Sequence, residues 1–113
     1  MGRLPRITLD KSAYAVVVAM VADYPRMKRT VESGSGTREK VAEFTRRIAA
    51  IDNALTVICD GEREEVKRAL IVDIGERRGF ERAVSREFYN SRNTFEKRKH
   101  EAVALIAQFM LIV

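Results

Sequence analysis

Apolar residues recur at intervals of three and four along most of this chain and almost nowhere alternate, so the pattern predicts helices rather than strands. Asp10 can cap a helix that begins near Lys11, whose positions Tyr14, Val17, Val18, Val21 and Ala22 repeat at helical spacing. Pro25 follows Tyr24 and should kink or break that helix, because proline lacks an N–H and crowds the preceding turn. A short helical piece carrying Met27 and Val31 can continue beyond it. Ser33-Gly34-Ser35-Gly36 reads as a flexible connector, after which Thr37 is a good N-cap for a helix with the apolar stripe Val41, Phe44, Ile48, Ile51, Leu55 and Ile58. Gly61 marks its end. Glu62, Glu64 and Glu65 gather at the start of the next helix, where negative charge suits the N-terminal dipole, and Val66, Leu70 and Ile74 supply its buried face.

Past Gly75 and Gly79, residues Phe80, Val84 and Phe88 recur at i, i+4 and i+8 and predict a short fourth helix with these side chains inward. Tyr89-Asn90 is the expected turn. Ser91 is then the N-cap of a fifth helix, with Phe95, Ala102, Leu105, Ile106 and Phe109 on one face and Asn93, Glu96, Lys97 and His100 on the other. The expectation is an all-α fold: a small helical domain of about five helices that ends in a helix-turn-helix with a long C-terminal recognition helix. Within this single domain, 1–32 form the N-terminal helical part, 33–37 the linker, 38–75 the core helices and 76–113 the helix-turn-helix.

Composition supports this reading. With 113 residues and 46% hydrophobic content the chain can furnish one modest core, and two prolines, six glycines and abundant helix formers suit helices. Lone Cys59 cannot form an internal disulfide and reads as a small buried hydrophobe, and the N-terminus lacks the apolar stretch of a signal peptide, so a reducing cytoplasm is expected. The apolar run 13–22 is about ten residues, short of the roughly 20 that span a bilayer, so no membrane is expected. Val16, Val17, Val18, Met20 and Val21 cannot all face one way, and the tail 109–113 is wholly apolar; both features predict self-association.

The net charge of +5 and pI near 9.7 favour a polyanionic partner, and the distribution sharpens the point. Residues 1–33 carry +3, residues 34–75 carry −1 and residues 76–113 carry +3, with eight Lys/Arg against four Asp/Glu between Glu76 and Lys99. A helix-turn-helix uses one helix to brace a second, whose first turns present donors and acceptors to base edges in the major groove. Arg92, Asn93, Glu96, Lys97 and His100 are the candidate base readers: arginine can pair with guanine, asparagine with adenine and a carboxylate with cytosine. Arg77, Arg78, Arg82, Arg86, Ser91, Arg98 and Lys99 are the candidate phosphate contacts, which supply affinity and register. The same pattern also fits a solvated amphipathic helix pair. Other chemistries are disfavoured: the segment GSGTREK lacks the ending of a phosphate-binding loop and no strand precedes it, one histidine and one cysteine cannot assemble a zinc site, and His100 has no oriented nucleophile beside it. No enzyme, metal or cofactor is expected.

Asp23-Tyr24-Pro25-Arg26-Met27-Lys28 is an aromatic-proline-basic motif closing an early helix, and the polar linker 33–37 and a long helix come after it. The run from Val84 through Asn93 to Lys99 contains serine, arginine, a polar residue and threonine after the turn. In these features the chain resembles the small phage-encoded transcriptional regulators of the ArpU/RinA kind, whose helix-turn-helix is similar to that of sigma-70 region four. It departs from their pattern at Asn90, where an aliphatic is usual, at Ser85, which replaces alanine, and at Phe80, one residue early. The resemblance implies a phage or prophage transcriptional regulator, a late-gene activator, in a bacterial host, binding double-stranded DNA as a homodimer, with RNA polymerase a further candidate partner. The alternatives are a small terminase-like packaging subunit, which works as a ring, and a helical protein-binding adaptor.

Overall fold

A computed structural model describes residues 9–89 and 91–110. Among them are five α-helices and no strand: α1 (Lys11–Ala22), α2 (Tyr24–Ser33), α3 (Arg38–Ile58), α4 (Glu64–Gly75) and α5 (Arg92–Phe109). The fold is all-α, as the periodicity requires. Three helices start on local caps, in which Asp10, Thr37 and Ser91 accept from the backbone N–H groups of Ala13, Lys40 and Thr94. Each cap satisfies one of the N–H groups that a helix start leaves without a partner. Pro25 sits in the first turn of α2, where its missing N–H costs nothing, so the chain bends at Asp23 between two helices.

The glycine-serine segment is not a loose tether. The N–H of Gly34 reaches the carbonyl of Val31 and that of Ser35 the carbonyl of Thr30, with Gly34 left-handed at φ 65°, so the end of α2 is closed by a Schellman motif. α4 ends the same way: the N–H of Arg77 reaches Ile74 and that of Arg78 reaches Asp73. Here the left-handed residue is an arginine, at φ 55°.

α1 packs on α4 and α5, α2 lies along α3, and α3 packs on α5. Gly75 permits the first contact, since a Cβ there would stand 2.9 Å from the Cα of Ala22. The core between the helices holds Val17, Val21, Met27, Ile51, Leu55, Leu70, Ile74, Phe95, Val103 and Ile106, all fully buried or nearly so. Each such side chain contributes about 1.5–3 kcal/mol by leaving water. The apolar run of α1 is thereby largely absorbed: Val17, Val18, Met20 and Val21 are buried and Val16 stays outside. Leu111, Ile112 and Val113, expected to help self-association, lie outside the described residues, as do residues 1–8 of the N-terminus read for a signal peptide and Asn90 of the expected turn.

The main departure from expectation is the segment 80–89. The predicted fourth helix is two short 3-10 turns, Phe80–Arg82 and Val84–Phe88, separated by extended Ala83. The bracing half of the expected helix-turn-helix is therefore not an α-helix. The cause lies in α4. Asp73 is fully buried, and its carboxylate accepts from the N–H of Val84 at 2.7 Å, from the N–H of Ser85 at 2.9 Å and from the Ser85 hydroxyl. Those two N–H groups would have had to bond the carbonyls four residues back to continue a helix. Val84 is consequently turned out, 44% exposed, while Ser85 takes the buried place. Phe88 is half-buried beneath the guanidinium of Arg63, and Phe80 packs on Phe95 with ring centroids 5.8 Å apart.

Candidate nucleic-acid interface

α5 begins at a firm cap. The Ser91 hydroxyl accepts from the Thr94 N–H at 3.2 Å and donates to the Thr94 hydroxyl, so this side chain is engaged by the helix itself. Phe95 then anchors the first turn in the core between Phe80 and Tyr89. With the inward face fixed, Asn93, Lys97 and His100 fall at i, i+4 and i+7 on the opposite side and are all exposed. Of the five proposed base readers, these three form one row. Arg92 and Glu96 flank it on ion pairs, Arg92 with Glu81 at 2.8 Å and Glu96 with Lys99 at 3.3 Å and with His100 at 3.9 Å.

The proposed phosphate contacts divide. Arg77, Arg82 and Arg86 are exposed. Arg86 spans the Phe80 ring and approaches Glu81 at 3.5 Å, and Glu81 in turn holds Arg92. Exposed pairs of this kind are worth at most about 1 kcal/mol, so a polyanion can displace the carboxylate. Arg78 is partly committed, donating to the Arg82 carbonyl and to Glu76. Arg98 and Lys99 do not belong to the outward set. Arg98 donates to the Ile58 carbonyl at 2.9 Å, closing the C-terminus of α3, where a cation also suits the helix dipole. Lys99 is 14% exposed, lies over the Phe95 ring and reaches toward the Arg78 carbonyl. Sequence spacing puts both at the edge of the exposed face; their length lets them turn back onto the protein.

Beside the row, α1 approaches α5 so that the Tyr14 ring lies 5.5 Å from that of His100. Burial, reinforced by Glu96, pushes the Tyr14 hydroxyl above the ordinary tyrosine range, with Arg77 acting against it. Burial raises the Cys59 thiol and the neighbouring Tyr89 hydroxyl alike, so neither is poised to react. Among the described residues, no three His, Cys, Asp or Glu side chains converge as a metal site. No helix among them is long and apolar enough to cross a membrane. Asp73, on which the position of the segment before α5 depends, does not stand out in the sequence as a functional residue. Its one signal is an acid at the seventh place after Val66, in line with the buried stripe of Val66, Leu70 and Ile74.

Compared with protein-family models, curated proteins and solved structures, the chain matches none of them.

Proposed function

We propose that the protein is a sequence-specific, double-stranded-DNA-binding transcriptional regulator of the phage or prophage kind, with the N-terminal half of α5 entering the major groove. The observation that carries the reading is the exposed row Asn93, Lys97 and His100 on a capped helix anchored by Phe95, with the cations Arg82 and Arg86 on the segment that precedes it. Asparagine and lysine are groups that pair with adenine and guanine edges, and the arginines suit the flanking phosphates. The 3-10 segment takes over the bracing role of a first helix: Phe80 and Tyr89 both pack on Phe95, and Asp73 ties the segment to α4. Two copies suit a two-fold operator, and the exposed Val16 and Phe109 are side chains that a second copy could cover.

Fluorescence anisotropy with labelled duplexes selected from random sequence tests the reading. Wild type should show a preferred sequence and a steep loss of affinity with salt. Asn93→Ala should cost about 1–3 kcal/mol on the preferred site and little elsewhere, whereas Arg82→Ala should weaken all duplexes alike. Absence of salt-dependent duplex binding at low ionic strength would sink the proposal. Light scattering that returns a ring rather than a dimer would transfer the same helix to a packaging subunit.

A further inference from the structure

Next to the row on α5 is a cleft of about 370 Å³ formed where α1, the end of α4 and α5 meet, lined by Leu9, Asp10, Lys11, Tyr14, Arg77 and His100. Lys11, Arg77 and His100, from three different parts of the fold, line it, and among the described residues neither Lys11 nor Arg77 has an ion-pair partner. Arg77 occupies the left-handed position of the Schellman motif at φ 55°, a place glycine fills without strain. A strained residue at the wall of a cleft is an observation from which function can be inferred. Asp10 is the opposing charge, and its carboxylate is held by the Ala13 N–H as the cap of α1. Glu96 faces His100 from α5 itself.

We propose that this cleft seats one phosphodiester of the DNA backbone, with Lys11 and Arg77 supplying the charge and the Tyr14 hydroxyl a donor. The proposal rests on the reading of α5 as the DNA helix. It adds α1, otherwise a core helix, to the interface, and it moves His100 from the base readers to the backbone contacts. A phosphate at this point fixes the rotation of the duplex about α5, so the cleft sets register and not sequence. The mismatch between Arg77 and its backbone is then maintained by binding: stability is given up where a cation must stand.

The test uses the full chain, a labelled duplex carrying the preferred site and two variants, Arg77→Gly and Lys11→Ala. Arg77→Gly should melt at a higher temperature than wild type yet bind about five- to tenfold more weakly at low salt. Each variant should make the slope of log affinity against log salt shallower by part of about 0.9, the value for the one phosphate the two cations share. A merely structural Arg77 predicts a lower melting temperature and an unchanged slope, and either variant binding with wild-type affinity and slope overturns the proposal. Inorganic phosphate added as competitor separates the sources: a cleft built for the backbone leaves duplex binding unaffected by millimolar phosphate, and strong competition would make it a free-anion site instead. If wild type itself bound no duplex, the reading of α5 would fall first and the cleft with it.

Discussion

The C-termini of α2 and α4 are closed by the same pair of hydrogen bonds, yet Gly34 holds the left-handed position in one and Arg77 in the other. The connections beyond these two ends differ as well. From Gly34 the chain needs three residues to reach Thr37, whose hydroxyl starts α3, so that junction is complete within its own few residues. From Arg77 the chain runs through two 3-10 turns before Ser91 starts α5, and the hold on that segment comes from Asp73, 11 and 12 residues back along the chain. One junction is self-sufficient; the other depends on a buried carboxylate and carries a strained cation. The difference locates where the fold has departed from its most stable local solution, and that place adjoins the candidate DNA face.

The strongest way to break the contrast is Asp73→Ala. Two buried or half-buried N–H groups and a buried hydroxyl lose their acceptor together, and unsatisfied groups of this kind cost about 1–3 kcal/mol each. Shared water lowers the sum, so a loss of about 3 kcal/mol in urea unfolding is expected. Ser85→Ala should cost about 1 kcal/mol, since both backbone bonds survive. If Asp73→Ala lost no more than Ser85→Ala, the segment would be held by Phe80 and Tyr89 rather than by the carboxylate.

The two left-handed positions should respond with opposite signs. Gly34→Ala introduces a Cβ into open space, so only the backbone conformation is penalised, and about 1 kcal/mol should be lost. Arg77→Gly relieves a similar strain but gives the unfolded chain more freedom, leaving a gain of about 0.5–1 kcal/mol. In a chain of this size that corresponds to a rise of about 2–4 °C in melting temperature, readable by calorimetry. Two changes of the same sign would show that the Arg77 side chain stabilises the fold and would remove the contrast.

How much of this is legible in the sequence depends on distance along the chain. Asp10, Thr37 and Ser91 announce their helices because each cap bonds a residue three places on, and the stripe of α3 comes directly from its spacing. The row Asn93, Lys97 and His100 is legible for the same reason. Phe80, Val84 and Phe88 are equally well spaced and yet form no α-helix, because a partner outside the segment captures two of its N–H groups. Arg98 reads as a surface residue because spacing does not reveal that the Ile58 carbonyl, 40 residues earlier, lies within reach. The cleft of Lys11, Tyr14, Arg77 and His100 is hidden in the same sense, since only packing brings α1 beside α5. The Schellman end at Arg77 cannot be read from composition, in which Gly75 and Gly79 are the conspicuous residues.

The smallest expected effect concerns the remaining junction, at Asp23 between α1 and α2. The Arg26 guanidinium, donating through Nε and Nη2 to the two carboxylate oxygens, holds the Asp23 carboxyl below its ordinary range. A carboxyl lowered in the folded state stabilises the fold above its unfolded pKa, and that contribution fades as pH falls through the unfolded range, about 4, toward the lower folded value. Both side chains are exposed, so solvent screening limits the contribution to a few tenths of a kcal/mol. Asp23→Asn should therefore lower stability above pH 5 by no more than those few tenths and converge on wild type toward pH 3, flattening the acid limb only slightly in urea titrations taken from pH 6 down to pH 3. A large flattening would mean that a junction complete within its own few residues can carry a large share of the stability, and the division between self-sufficient and dependent junctions would then be one of geometry and not of energy.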